Sequence, residues 1–354
     1  MSERLEVNSH KGIYTVFFDE TAITSLNSGD LAGLHFIIDE KVAGFYKDEL
    51  ARILTSKSVL LIPANEESKS LDRFSCYVEH LVSHGIRRHH KLIAIGGGVI
   101  QDITCFLAAA LLRGIKWSFY PTTLLAQADS CIGSKSSINV GKNKNILGTF
   151  TPPEQINICT HVLKTLENRE MLSGIGEMLK VHAIDGPGSF DKIASDYENM
   201  LSGPSALGKY IYDSLVIKKK IIELDEFDKG PRNVMNYGHS FGHAIESATD
   251  FAVPHGIAVC IGMDMANFMA VRLRLTREDV YKRMHSTLRK NFRLFAEIHI
   301  PSDGFFFALS RDKKNTDEKL RLVMPDGSGK IALHLCPNDP AFQKNCVEYL
   351  ASGR

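Results

Sequence analysis

Three short apolar runs near the N-terminus end in polar or glycine residues: LHFIIDE (Leu34–Glu40), SVLLIPA (Ser58–Ala64) and KLIAIGGG (Lys91–Gly98). Runs this short without alternation read as strands buried on both faces, the pattern of a parallel sheet. Between the last two, Leu71, Phe74, Val78, Leu81 and Val82 recur at helical spacing within Ser68–Ile86. Strand, helix and strand in this order make an α/β unit, whose ligands bind at the C-terminal ends of the strands. After TFTPPEQ (Thr149–Gln155) the pattern changes. Long helical segments follow, such as Gly208–Phe227 and Ile257–Leu275. The chain is therefore expected to fold as an α/β N-terminal domain over residues 1–150 and a mostly α-helical C-terminal domain over residues 151–354.

With 354 residues, 44% of them hydrophobic and 23% charged, the chain can bury a full core without staples. The formal net charge of +1 gives no basic excess that would favour nucleic acid or an anionic membrane. Seven cysteines are scattered with no CxxC pair, which points to a reducing compartment rather than a disulfide framework. The start, MSERLEVNSHKG, lacks the apolar core of a signal peptide. The longest apolar runs, such as Cys105–Leu112, are too short to span a bilayer. A cytoplasmic protein is expected. The basic runs Arg87–His90 and Lys218–Lys220 read as solvated faces.

Two motifs carry chemistry. AIGGGVIQD (Ala94–Asp102) places three glycines directly after a strand. Gly96–Gly98 let the backbone approach a phosphate, and a helix starting at Val99 would offer its N-terminal N–H groups to a pyrophosphate. A tight strand-to-helix turn explains the same residues equally well. YPTTLLAQADS adds the hydroxyls of Thr122 and Thr123, and Gly133–Gly148 carries Lys135, Lys142 and Lys144 among glycines and amides, a composition suited to phosphate. The second motif is NYGHSFGHAIESATDFAVPHG (Asn236–Gly256). His239 and His243 lie one helical turn apart and His255 follows twelve residues later. Three imidazoles so spaced could surround one divalent cation, with zinc an apt choice. Spacing alone leaves metal and structural roles balanced, and does not identify a carboxylate ligand. His89, His90 and His182 read as structural.

GGGVIQD, RGI (Arg113–Ile115), PTTLLAQADS, GSKSSIN with GKNKNILG, GIGEMLK (Gly174–Lys180), RNVMNYGHSFGHAIE (Arg232–Glu246) and PHG occur in this order. Together they resemble 3-dehydroquinate synthase and related sugar phosphate cyclases, over about residues 35 to 330. The resemblance implies an N-terminal Rossmann-like domain for NAD and a helical C-terminal domain for a divalent metal, Zn2+ or Co2+. It implies Glu177, His239 and His255 as metal ligands and His243 as a catalytic partner facing the substrate. Lys135, Asn145 and Lys180 would hold the substrate's phosphate, with Arg113 reaching in from the neighbouring subunit of a homodimer. Lys218, Arg232 and Asn236 would surround the other end of the substrate, and Asp129 the nicotinamide and the reacting hydroxyl. One of Lys313 and Lys314 would also reach in. For NAD, Asp39 would face the adenosine ribose, with Glu66, Lys69, Gly97, Gly98, Asp102, Thr122, Thr123 and Lys144 along the rest of the groove.

The activity so implied is a phosphate-eliminating lyase reaction, 3-deoxy-arabino-heptulosonate 7-phosphate to 3-dehydroquinate, in the shikimate pathway to aromatic amino acids. Cyclases acting on sedoheptulose 7-phosphate or a hexose phosphate are the main alternative, followed by a metal-dependent NAD alcohol dehydrogenase and a non-catalytic binding protein. Arg232 favours the carboxylated substrate, because a guanidinium grips a carboxylate through two parallel hydrogen bonds. Four positions depart from the family pattern. Ile257 follows His255-Gly256 where glutamate is usual, Ser134 and Gln101 stand where glycine is usual, and Asp228 replaces a common glutamate.

Overall fold

The structure, a computed structural model, describes residues 3–141, 143–312, 315 and 319–352. It divides into two compact units, Met1–Leu166 with Gly203–Phe227, and Glu167–Ser202 with Asp228–Arg354.

The first unit is built on a seven-stranded sheet. Its strands are β1 (Arg4–Ser9), β2 (Gly12–Phe18), β3 (Leu34–Asp39), β4 (Val59–Ile62), β5 (Lys91–Gly96), β6 (Lys116–Pro121) and β9 (Gln155–Ile158), in the order β1-β2-β9-β6-β5-β3-β4. A separate hairpin pairs β7 (Lys135–Val140) with β8 (Asn143–Phe150). All the sheet's pairs are parallel except β1 with β2. Two of the three apolar runs are buried on both faces: Phe36, Ile37 and Ile38 in β3 and Leu92, Ala94 and Ile95 in β5 are fully enclosed, whereas β4, also expected to be buried, lies at the sheet edge with Leu61 exposed. From β3 the chain steps to β4 on one side and then to β5 on the other. The C-terminal ends of β3 and β5 thus flank a topological switch point, where open α/β sheets bind ligands. Asp39 closes β3 there, and Gly96 closes β5.

Two expectations shift. The break expected near residue 150 falls at Leu166, because the segment after TFTPPEQ forms β9, which pairs with both β2 and β6. The helical run Gly208–Phe227, expected in the second domain, belongs to the first unit as helix Pro204–Leu224. Within the segment 68–86, a regular helix spans only Phe74–Ser83; Phe74, Tyr77 and Leu81 are its buried face, while Leu71 and Val82 are exposed.

The second unit centres on helix His255–Arg272, in which every residue from Gly256 to Asn267 is buried. A helix enclosed on all sides lacks an amphipathic stripe. Helices Asn168–Asp185, His239–Ala248 and Glu278–Phe292 surround it, and β10 (Lys319–Pro325) pairs with β11 (Ile331–Pro337). Glycines set the closest crossings. A Cβ on Gly256 would lie 1.9 Å from the carbonyl oxygen of Ser173, and one on Gly262 would lie 2.1 Å from that of Gly238. The first crossing sets Gly256 against the Asn168–Asp185 helix, and the second sets the start of His239–Ala248 against the same central helix. Among the described residues no helix is long and apolar enough to cross a membrane, and the cysteines are free thiols.

Replacing Gly262 by Ala should cost about 1–3 kcal/mol, the usual penalty of overpacking, and lower the urea midpoint. At Gly188, where an added Cβ meets nothing within 4 Å, Gly188→Ala should stabilise the Pro187–Ser195 helix by up to about 1 kcal/mol. Equal midpoints for the two variants would show that the crossing tolerates a methyl group.

Candidate active site

In the second unit, Glu177 projects from the middle of helix Asn168–Asp185 and is 1% exposed. A carboxylate taken that far from water needs charged partners. Its Oε2 lies 2.5 Å from Nζ of Lys180, one turn further along the helix. Its Oε1 faces two imidazoles, 3.8 Å from Nε2 of His239 and 3.6 Å from Nε2 of His255. His239 and His255 are each the first residue of a helix, the two helices joined at the Gly262 crossing. His243 follows one turn after His239, with its ring 5.4 Å from that of His239 and 5.7 Å from that of His255. One nitrogen from each of the three imidazoles lies within 4.8 Å of the others.

The outward-facing Nδ1 atoms are also engaged. His255 Nδ1 lies 3.2 Å from both oxygens of Glu246, and His239 Nδ1 lies 3.2 Å from the Tyr237 carbonyl. A proton on each Nδ1 satisfies these acceptors and leaves both Nε2 lone pairs pointing at Glu177. Burial works to lower the pKa of His255, but the hydrogen bond and charge of Glu246, with the charge of Glu177, raise it to about 9. The field that holds a proton there also favours a cation. Donors about 2.1 Å from a tetrahedral ion are about 3.4 Å apart, close to the 3.6 and 3.8 Å observed. Glu177, His239 and His255 therefore fit a divalent metal.

Arg232, buried, and Asn236 share the short helical turn Pro231–Asn236, and Asn236 Nδ2 donates to the Asn233 carbonyl at 3.1 Å.

The first unit gathers a second set. Lys69, 5% exposed, pairs with Asp102 at 2.8 Å and donates to Asn145 Oδ1 at 2.9 Å. Asp102 accepts from the backbone N–H of Ser137 at 3.0 Å, and Asn145 Oδ1 accepts from the Ser137 hydroxyl at 2.9 Å. Burial raises the pKa of Asp102, with Lys69 and Ser137 opposing it. Glu66 lies 3.8 Å from Lys69 Nζ and accepts from Asn139 at 3.0 Å. Asn145, at φ 52°, takes the left-handed backbone that asparagine tolerates. Expected as a phosphate ligand, it sits among residues expected at the cofactor. At the switch point, Gly97 caps helix Gly98–Ala110, and a Cβ on it would lie 2.8 Å from Thr123 Cγ2. Thr123 Oγ1 accepts from the Ala126 N–H, Thr122 is buried, and Asp39 Oδ1 accepts from the Lys41 N–H at 2.9 Å.

Lys218, read above as part of a solvated run, is buried. Its Nζ lies 2.7 Å from Asp129 Oδ1 and donates to the Asp129 carbonyl at 2.6 Å. The helix turns Lys218 inward, leaving Lys219 half-buried and Lys220 exposed. Arg113 (at φ 65°), Lys135 and Lys144 are exposed. Lys142, Lys313 and Lys314 lie outside the described residues.

Residues 59–173 match the family described as 3-dehydroquinate synthase N-terminal, and residues 174–315 the one described as 3-dehydroquinate synthase C-terminal. The 3-dehydroquinate synthase of Dictyoglomus thermophilum is 34% identical over 334 residues, 93% of this chain and 93% of its own length. The chain belongs to the 3-dehydroquinate synthase family. Its fold is shared with 2-deoxy-scyllo-inosose synthase, solved with carbaglucose-6-phosphate, NAD+ and Co2+. That structure matches at a TM-score of 0.86 and 22% identity, covering 98% of this chain and 100% of that one. It is also shared with 2-epi-5-epi-valiolone synthase from Streptomyces hygroscopicus subsp. jinggangensis, solved with NAD+ and Zn2+, at a TM-score of 0.81 and 25% identity over 96% and 97% of the two chains.

For this member of the 3-dehydroquinate synthase family, one residue of consequence escaped the sequence reading. Glu246 backs His255, and its signal was its place three residues after His243, on the same helix face. Ile257, which stands where the family's usual glutamate is missing, is fully buried and apolar. The carboxylate beside His255 is that of Glu246, on the neighbouring helix His239–Ala248.

Glu246→Gln should weaken zinc or cobalt binding about 10- to 100-fold, the usual cost of losing a ligand's outer partner, as read by competition with a chelator. His239→Ala should abolish that binding. Unchanged affinity in Glu246→Gln would show that Glu246 does not orient His255.

Proposed function

We propose that the chain converts 3-deoxy-arabino-heptulosonate 7-phosphate to 3-dehydroquinate and phosphate. The observation that carries this reading is the convergence of Glu177, His239 and His255 on one point, backed by Lys180 and Glu246. When bound, NAD supplies reversible hydride acceptance at a substrate hydroxyl, and a divalent cation lowers that hydroxyl's pKa. Glu177, His239 and His255 would hold the cation. The groove for NAD is assigned to Asp39, Glu66, Lys69, Gly97, Gly98, Asp102, Thr122, Thr123 and Lys144.

The chain's own residues then have positional tasks. His243 is assigned as the catalytic imidazole facing the substrate. Lys135, Asn145 and Lys180, with Arg113 of a neighbouring subunit in a homodimer, are assigned to the substrate's phosphate. A leaving phosphate can itself accept the neighbouring proton, so the protein need only hold it, by orientation and charge. Asp129 is assigned to the reacting hydroxyl, oriented by Lys218. Arg232 and Asn236 are assigned to the carboxylate end. The free cysteines agree with a cytoplasmic setting.

A carboxylate-free sugar phosphate is the second reading, favoured by the backbone similarity to cyclases of other names. Arg232 weighs against it. The guanidinium is buried, and a substrate without a carboxylate would leave its donors poorly matched, at a cost of about 1–3 kcal/mol.

Phosphate release should be measured with the heptulosonate phosphate, sedoheptulose 7-phosphate and glucose 6-phosphate, with zinc and cobalt in parallel. Release with the carboxylated sugar alone is expected, without net NADH. Arg232→Ala should raise KM for that sugar about tenfold or more. Turnover of only the neutral sugars would overturn the assignment of Arg232.

A further inference from the structure

Residues 131–134 form neither helix nor strand, yet they connect Asp129 to Lys135, two residues given roles above. Ser134 within this stretch takes φ 64° while 6% exposed. A residue with a Cβ is disfavoured there, so something must hold it. Its hydroxyl donates to Glu226 Oε1 at 2.8 Å. Glu226 is fixed in turn by the backbone N–H of His10, at 2.7 Å from Oε2, and by His10 Nδ1, 3.0 Å from Oε1. Gly133 donates its N–H to the Tyr14 hydroxyl at 3.2 Å. At the other end, Gln101 and Ser130 bond reciprocally. Gln101 Nε2 donates to the Ser130 carbonyl and the Ser130 hydroxyl donates to Gln101 Oε1, both at 2.6 Å.

We propose that Ser134, Glu226 and Gln101 are positioning residues that pin the Asp129–Lys135 segment at both ends and so place the Lys135 ammonium for the phosphate of the sugar substrate. The proposal rests on the role given to Lys135 under the proposed function. Lys135 opens β7 directly after Ser134. Its direction therefore follows from the dihedrals of Ser134, and a hydroxyl bonded to an ionised acceptor holds those dihedrals more firmly than a neutral pair would. The first hairpin takes part as well. His10 lies in its turn and Tyr14 in β2, so a segment remote in sequence braces the lysine.

The test uses the enzyme loaded with NAD and zinc. Ser134→Ala keeps a Cβ at the strained position and loses the tether. It should raise KM for the sugar phosphate about tenfold with kcat within twofold, the signature of lost uniform binding. Ser134→Asn, which tolerates φ > 0 and keeps a donor, should restore KM to within twofold of wild type. Combining Ser134→Ala with Glu226→Ala should be no worse than Glu226→Ala alone, since that change already removes the acceptor of the Ser134 hydroxyl. Amide exchange of residues 131–135 should quicken in Ser134→Ala and recover in Ser134→Asn, and Gln101→Ala should quicken it at 130–132. Wild-type KM and exchange in Ser134→Ala, or additive effects in the double variant, would overturn the proposal. If the wild-type enzyme releases phosphate from none of the sugars, the functional reading fails instead. The tether then stands or falls on the exchange rates alone.

Discussion

A buried carboxylate shared between an ammonium and two imidazoles organises the second unit. Glu177 can be enclosed only because its two oxygens face different partners, Lys180 on one side and His239 and His255 on the other. Those imidazoles come from two further helices, and side chains as short as histidine meet across helices only where backbones nearly touch. The glycines supply that closeness. Gly176 precedes Glu177 and Gly256 follows His255; a Cβ on Gly176 would lie 2.2 Å from the Gly256 carbonyl oxygen. Gly238 precedes His239 and faces Gly262. At each crossing a glycine lies next to a candidate ligand, so helix packing and site assembly are one constraint.

Much of this was legible in the sequence. Strands β3 and β5 followed from apolar runs of six residues, because burial on both faces leaves a local signature. The histidine spacing and the ordered motifs pointed to Glu177, His239 and His255. What stayed hidden depends on distant pairing. The place of β9 between β2 and β6 is a tertiary fact, and nothing in QINI distinguishes a strand that closes the first unit from one that opens the second. The bond between Lys218 and Asp129 spans 89 positions. A lysine in KKK looks solvated until the helix carrying it is oriented. Glu246 was visible as a residue but not as the partner of His255, since the turn that brings the two together lies in the intervening loop.

The departures from the family pattern gain physical content in the same way. Ser134 is expensive as a backbone choice and useful as a donor, and Gln101 exchanges two hydrogen bonds with Ser130. A glycine at either position would be freer and would tether nothing. The loss of a glutamate at Ile257 leaves no buried acid unpaired. The position lies on the enclosed central helix, where an isoleucine packs without cost and a charge would need a partner.

The cationic side chains fall into two classes, buried and exposed. Lys69, Lys180 and Lys218 are buried, and each is within 2.8 Å of a carboxylate, from Asp102, Glu177 and Asp129 respectively. Desolvation demands such pairing, and it makes these lysines devices for orienting acids. Lys135, Lys144 and Arg113 are exposed. A cation held by Glu177 would draw on the same carboxylate charge that holds Lys180, and would weaken that ion pair. A bound cation and the Lys180 ammonium would then compete for a single carboxylate, with the Glu177 side chain as the shared element.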